Sequence, residues 1–386
     1  MNNKALEHEI LKLKKSSGSH SPSIFSIKKN IPEIKIKIDA CFLSNPYATD
    51  LFLDYFNKEV YIDFKKTRDL LEFYPSQNNI ISKSIAPNVG VSPDEIFIGN
   101  GATEVIQAIF HNFVKDKIVI NLPTFSPYYE FVKDDTEVIY YTLSKENNFK
   151  IDINDYVNFI KKHKPNSIVL INPNNPDGGY IKSQDLRTIL TELEFIENII
   201  IDESFAHFAY ENRNKELISA SDLFKEFKNV MVIKSMSKDF GIAGIRCGYG
   251  ILNKEKRNKL LSDGYLWNSS GLSEYFFNKY SDKKFLKEYE IVRIKYINEC
   301  IDFFKQLDSI PNIKIYPSKA NFALIEILNG MKSTEVFIKM LINHGIYVRE
   351  CSDKIGLDGQ FIRVASRTYE ENQKIINSFN DFFKNK

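Results

Sequence analysis

Ser235-Met236-Ser237-Lys238-Asp239-Phe240-Gly241-Ile242-Ala243-Gly244-Ile245-Arg246 is the stretch on which the reading of this chain turns. Directly before it runs Val230-Met231-Val232-Ile233, an apolar segment that reads as a buried strand. Lys238 therefore stands just past a strand end, where α/β proteins place their ligands. A lysine there can form a Schiff base with a carbonyl cofactor, while the two hydroxyls and Arg246, eight positions on, can hold a phosphate. A lone Ser-x-Ser-Lys is equally compatible with a solvated loop lysine. The decision therefore passes to the other strand ends.

The composition narrows the field. A chain of 386 residues can bury a substantial core and form two domains. Its 43% hydrophobic and 26% charged residues are ordinary for a soluble globular protein. The 52 basic and 50 acidic residues nearly cancel, to +2, which predicts no attraction to nucleic acid or to a membrane surface. Cys41, Cys247, Cys300 and Cys351 lie far apart, with no Cys-x-x-Cys. That argues against a metal site or a disulfide framework and suits a reducing cytoplasm. Residues 1–15 lack the apolar core of a signal peptide, and no apolar run approaches the roughly 20 residues of a membrane span.

Along the chain, residues 1–48 read as an arm that joins the smaller domain. It holds a short helix over 7–15, a small-residue loop over 16–22, an edge strand over 34–38 and a turn at Asn45-Pro46. Residues 49–285 read as a large domain. Strands are expected at 96–98, 117–121, 137–141, 167–171, 198–201, 230–233 and 248–252. Helical spacing falls between them at 102–109, 125–133, 153–162 and 186–193. This alternation predicts a mainly parallel sheet covered by helices. Residues 286–386 read as the smaller α+β domain, opened by a long helix over 286–307 and carrying further helices over 333–343 and 369–383.

Three further strand ends carry groups suited to chemistry. Gly101-Ala102-Thr103 opens a helix, so free N–H groups and a hydroxyl can receive a phosphate; a Gly-bearing turn with a threonine near the cap is the plainer reading. Asn175, among prolines and glycines, can donate its amide to a ring hydroxyl. Asp202 ends a very apolar strand, so its carboxylate needs a cationic or donor partner, which a protonated pyridine nitrogen would supply.

The ordered set GNGATE (99–104), PTFSPY (123–128), NPNNPDG (172–178), DESF (202–205) and SMSKDFGIAGIRCGY (235–249) resembles fold-type I pyridoxal-phosphate enzymes of the histidinol-phosphate aminotransferase branch. The resemblance implies an aspartate-aminotransferase-like α/β fold and pyridoxal 5′-phosphate as cofactor. It implies that Lys238 carries the cofactor, Asp202 keeps its ring nitrogen protonated, Asn175 bonds its ring hydroxyl and Phe125 stacks on the ring. Ala102, Thr103, Ser235, Ser237 and Arg246 would surround the phosphate. Tyr74 would reach the cofactor phosphate of a neighbouring subunit in a homodimer. Arg363 resembles the residue that grips the substrate α-carboxylate. Arg349 and Arg367 lie near the same strand ends, and a planar guanidinium suits carboxylate or phosphate.

One departure selects the reaction. Aminotransferases of this branch carry Asp-Glu-x-Tyr, where this chain has Phe205. That phenylalanine, the segment GLDGQFIRVASR (356–367), YPSKANF (316–322) and the early loop with His20 look closer to threonine-phosphate decarboxylase. In that relative a histidine-containing N-terminal loop lies over the substrate. The expected activity is decarboxylation of a small phosphorylated amino acid, L-serine phosphate or L-threonine phosphate, to the phosphorylated amino alcohol. The alternatives are a glutamate-dependent aminotransferase and a non-catalytic binding module; the latter should lack the lysine or the aspartate, and both are present.

Overall fold

The computed structural model describes residues 3–265 and 267–384. Twelve strands form two sheets among the described residues. In chain order they are β1 (Ile38–Ala40), β2 (Ile96–Asn100), β3 (Lys117–Leu122), β4 (Glu137–Thr142), β5 (Ser167–Ile171), β6 (Asn198–Asp202), β7 (Val230–Ser235), β8 (Cys247–Ile251), β9 (Ile313–Ile315), β10 (Phe322–Ile327), β11 (Ile346–Glu350) and β12 (Phe361–Ala365).

The larger sheet has the order β2-β8-β7-β6-β5-β3-β4 and is parallel except for β8, which runs against both neighbours. Its inner parallel strands β3, β5, β6 and β7 are apolar at successive positions because both faces are covered. Alternate side chains enter different clusters: Ile168, Leu170, Ile199, Ile201 and Val232 face one, Val169, Ile171, Ile200, Met231 and Ile233 the other. The two-residue period of a strand divides one run between two cores. The helix Ala102–Phe113 inserts Val105, Ile106 and Ile109 into the second cluster.

The smaller sheet, β1-β11-β12-β10-β9, pairs the N-terminal arm with the C-terminal residues through the parallel contact of β1 with β11. Leu6, Ile10, Ile27 and Ile31 of the arm share a core with Phe303, Val336, Ile375 and Phe379. The long helix spans Lys283–Asp308 and is capped by Asp282. No helix among the described residues is long and apolar enough to cross a membrane.

Three local expectations need correction. The edge strand begins only at Ile38, where pairing with β11 starts, and residues 35–37 stay irregular. The helix expected over 125–133 is confined to Pro127–Glu130. The helix expected over 333–343 is α-helical through Lys339 and then widens to a π-helix at Met340–His344.

Candidate active site

The parallel strands of the larger sheet point their C-terminal ends at one cavity of about 270 Å³. β7 ends in Ser235, which caps the four-residue helix Met236–Asp239 by accepting from the Ser237 N–H at 3.3 Å. That turn brings Ser235, Ser237 and Lys238 to the cavity wall. Burial, together with the positive charges of Arg363 and Arg246, lowers the Lys238 pKa to about 8.

Asp202, the last residue of β6, lines the same wall and is buried. Its Oδ2 accepts from the Tyr128 hydroxyl at 2.6 Å and its Oδ1 from the Ser204 N–H at 2.8 Å. Burial raises its pKa, and the bonds from Ser204 and Tyr128 act in the opposite direction. A further cation facing this carboxylate would complete the compensation.

After β2, Gly101 adopts φ +78° and caps the helix Ala102–Phe113. A Cβ at Gly101 would collide with the Arg246 guanidinium, so glycine lets the cation come up against the helix N-terminus. Ala102, Thr103 and Arg246 all line the cavity, and together they form a cradle for a dianion.

On the far wall Arg363 of β12 is buried. Its Nη1 donates to Asn175 Oδ1 at 2.6 Å and its Nη2 to the Cys41 carbonyl at 2.9 Å, while Nε has no protein partner. Asn175 thereby keeps its amide nitrogen as a donor. Arg349 of β11 is the cross-strand partner of Arg363 and, with Lys354, extends this cationic wall to the N-terminal loop. Arg349 Nη2 and Lys354 Nζ both donate to the Ser19 carbonyl, at 2.9 and 3.3 Å. Burial and the neighbouring Arg349 lower the Lys354 pKa to about 8. His20 lines the same cavity, half-exposed, with Nε2 at 3.4 Å from Glu130.

Of the residues expected from sequence, Lys238, Asp202, Asn175, Phe125, Ala102, Thr103, Ser235, Ser237, Arg246, Arg349, Arg363 and His20 all line this one cavity. Arg367 and Tyr74 are not among its lining residues. Arg367 Nη1 donates to the Ser44 carbonyl at 3.0 Å and its Nε stands 3.5 Å from Glu371. Tyr74 is 87% exposed, its ring 6.0 Å from that of Trp267. Two contributors escaped the sequence reading. Tyr128 sits inside the quoted motif PTFSPY, so a signal existed. Lys354 lies in an irregular loop after β11, where no spacing marks it.

The pattern of aminotransferase class I and II matches residues 44–379. The chain belongs to that family. Within it, the chain is 58% identical over 381 residues to an L-serine phosphate decarboxylase of Campylobacter jejuni, covering 99% of this chain and 97% of the relative. It is 44% identical over 372 residues to an L-serine phosphate decarboxylase of Sulfurospirillum multivorans, covering 96% and 95%. A solved structure described as a decarboxylase from Sulfurospirillum multivorans superposes with a TM-score of 0.93 at 41% identity over the whole of both chains.

The cavity fits the pyridoxal 5′-phosphate expected of this family member. The anion cradle at Gly101, the buried carboxylate of Asp202 and the low-pKa amine of Lys238 match its phosphate, pyridine nitrogen and aldehyde in turn.

Proposed function

We propose that this protein is a pyridoxal-phosphate-dependent carboxy-lyase that converts L-serine phosphate to ethanolamine phosphate and CO₂. The observation that carries the reading is a cluster of three cations on one cavity wall: Arg363 of β12, its cross-strand partner Arg349 of β11, and Lys354 in the loop after β11. A substrate with a carboxylate and a phosphate needs more than one cation to hold it. The extent of the similarity to L-serine phosphate decarboxylases supports the same substrate.

Bound pyridoxal phosphate supplies an electron-accepting ring that takes up the electron pair of a bond broken at Cα. Lys238 is the residue that would carry it. Asp202 would hold the ring nitrogen protonated, with Tyr128 and Ser204 keeping that carboxylate ionised. Asn175 would donate to the ring hydroxyl, Phe125 would cover the ring, and Ala102, Thr103, Ser235, Ser237 and Arg246 would bind the phosphate. Arg363, braced by Asn175 and Cys41, would hold the substrate carboxylate. Arg349 and Lys354, with His20 over them, would bind the substrate phosphate. The Lys238 amine, with a pKa of about 8, is suited to hand a proton to Cα once CO₂ has left.

The same reading makes the protein a cytoplasmic homodimer. Its four cysteines are free and buried. Tyr61, Ile62, Phe64, Leu71, Phe73 and Tyr74 expose a run of large apolar side chains suited to a second copy, whose site Tyr74 would complete. Residues 1–48 and 286–386 would form the small domain and 49–285 the cofactor-binding one.

Product analysis with L-serine phosphate and L-threonine phosphate, with and without glutamate and keto acids, tests this. Ethanolamine phosphate and CO₂ from L-serine phosphate, without need of a keto acid, are expected. A glutamate-driven conversion of the cofactor to its amine form, with no CO₂, would assign the chain to the aminotransferases instead.

A further inference from the structure

β7 and the turn after it enclose an ion pair that does not line the cavity. Lys234 and Asp239 are both 0% exposed, with ammonium and carboxylate in contact. Lys234 Nζ also donates to the backbone carbonyl of Glu203 at 3.1 Å. Glu203 follows Asp202 in sequence, and Asp239 follows Lys238. One ammonium therefore joins the neighbour of Asp202 to the neighbour of Lys238.

The location gives this bridge its purpose. The pairing of β6 with β7 extends to Asp202 opposite Ile233. Lys238 stands three residues beyond the end of β7, where no ladder holds it against β6. His207 Nδ1 lies 3.4 Å from Asp239 Oδ2 and 3.0 Å from the Tyr289 hydroxyl. Burial and the charges of Lys234 and Arg293 push the His207 pKa well down, so Lys234 is the cation in contact with Asp239. Burying two charges is costly, and apolar side chains could fill such a space at similar stability. What they could not do is tie two strand ends at defined atoms.

We propose that Lys234 and Asp239 are positioning residues that hold Lys238 in register with Asp202, so that one bound ring can meet both. The proposal rests on the roles given above to Lys238 and Asp202. Lys238→Ala, expected to lose the absorbance of covalently held cofactor, tests those roles separately.

The test uses the double variant Lys234→Met/Asp239→Leu and the single variant Asp239→Asn in the full chain. The readouts are the melting of the cofactor-free protein, the Kd for pyridoxal phosphate by absorbance, and kcat and KM. The double variant should melt cooperatively, since apolar replacement of a buried pair is often tolerated. Its Kd for the cofactor should rise about tenfold or more and its kcat fall about tenfold or more, with KM changed less than about threefold. Asp239→Asn should move the same quantities in the same direction by less. A folded variant of either kind whose cofactor Kd and kcat stay within about twofold of the parent overturns the proposal. Loss of cooperative folding in both variants also overturns it, because the pair would then serve the fold alone.

Discussion

The Tyr128 hydroxyl donates to Asp202 Oδ2 at 2.6 Å, with both side chains buried. Without that donor, burial would draw Asp202 further towards its protonated form, and a neutral carboxyl cannot hold a pyridine nitrogen in its charged state. A hydrogen bond to a charged group is worth about 1.5–3 kcal/mol, so Tyr128→Phe should lower kcat roughly tenfold or more. KM should change little, because Arg363 and Arg349, proposed to bind the substrate, are untouched. Steady-state kinetics checks this, and a kcat within about twofold of the parent would remove Tyr128 from the machinery.

Lys238 makes the pH prediction. Its folded pKa of about 8 lies below the ordinary 10.5. Between those values the folded chain binds fewer protons than the unfolded one, so the cofactor-free protein gains stability as pH rises through the window. Below about pH 8 the full destabilising contribution is present. Only the neutral amine attacks an aldehyde, so the rate of cofactor capture should climb up to about pH 8 and then level. Arg363 is the leading charge that lowers this pKa, so Arg363→Met should move the midpoint to higher pH. Stopped-flow absorbance without substrate measures it; an unmoved midpoint would show that burial and Arg246 set the amine without Arg363.

Much of this is legible in the sequence. β5, β6 and β7 announce themselves as unbroken apolar runs because both faces are buried, and the residues that close those runs are the ones that reach the cavity. What sequence pattern could not supply is contact across the chain. Lys354 is unremarkable as a single residue; it joins the expected Arg349 because both reach the Ser19 carbonyl of an arm over 300 positions away. Arg367 shows the converse: three arginines near two strand ends look alike in sequence, yet its guanidinium is taken up by Ser44. The Phe125 segment reads as a longer helix because its aromatic spacing suits one, although Phe125 is needed at the cavity and Tyr128 at Asp202.

Lys354 should report on the substrate phosphate. It lies against Arg349 with its pKa lowered to about 8, so a dianion beside it would favour its charged form. Lys354→Met removes one charge-assisted contact while keeping most of the side-chain volume. KM for L-serine phosphate should rise about tenfold or more, with a much smaller effect on the binding of pyridoxal phosphate. Measuring both on one preparation separates the substrate site from the cofactor site, and an equal loss in each would place Lys354 with the cofactor phosphate.

Phe205 would leave the cofactor's ring oxygen without a second donor. Its side chain lines the cavity and packs edge-on to Phe322, with ring centroids 5.1 Å apart. Aminotransferases of the branch place a tyrosine hydroxyl here, so the oxygen would be bonded by Asn175 and that hydroxyl together. In this chain Asn175 is also the partner of Arg363. On the proposed roles, a ring held by Asn175 alone would thereby be coupled to the guanidinium that would hold the substrate carboxylate. Phe205→Tyr would add a competing anchor and loosen that coupling. The variant should fold, since the hydroxyl is added at a cavity wall, and it should release less ethanolamine phosphate per cofactor converted to its amine form. Mass spectrometry of products alongside the cofactor spectrum measures the partition. If decarboxylation and conversion both keep their parental rates, the choice of reaction lies with Arg363 and the N-terminal loop.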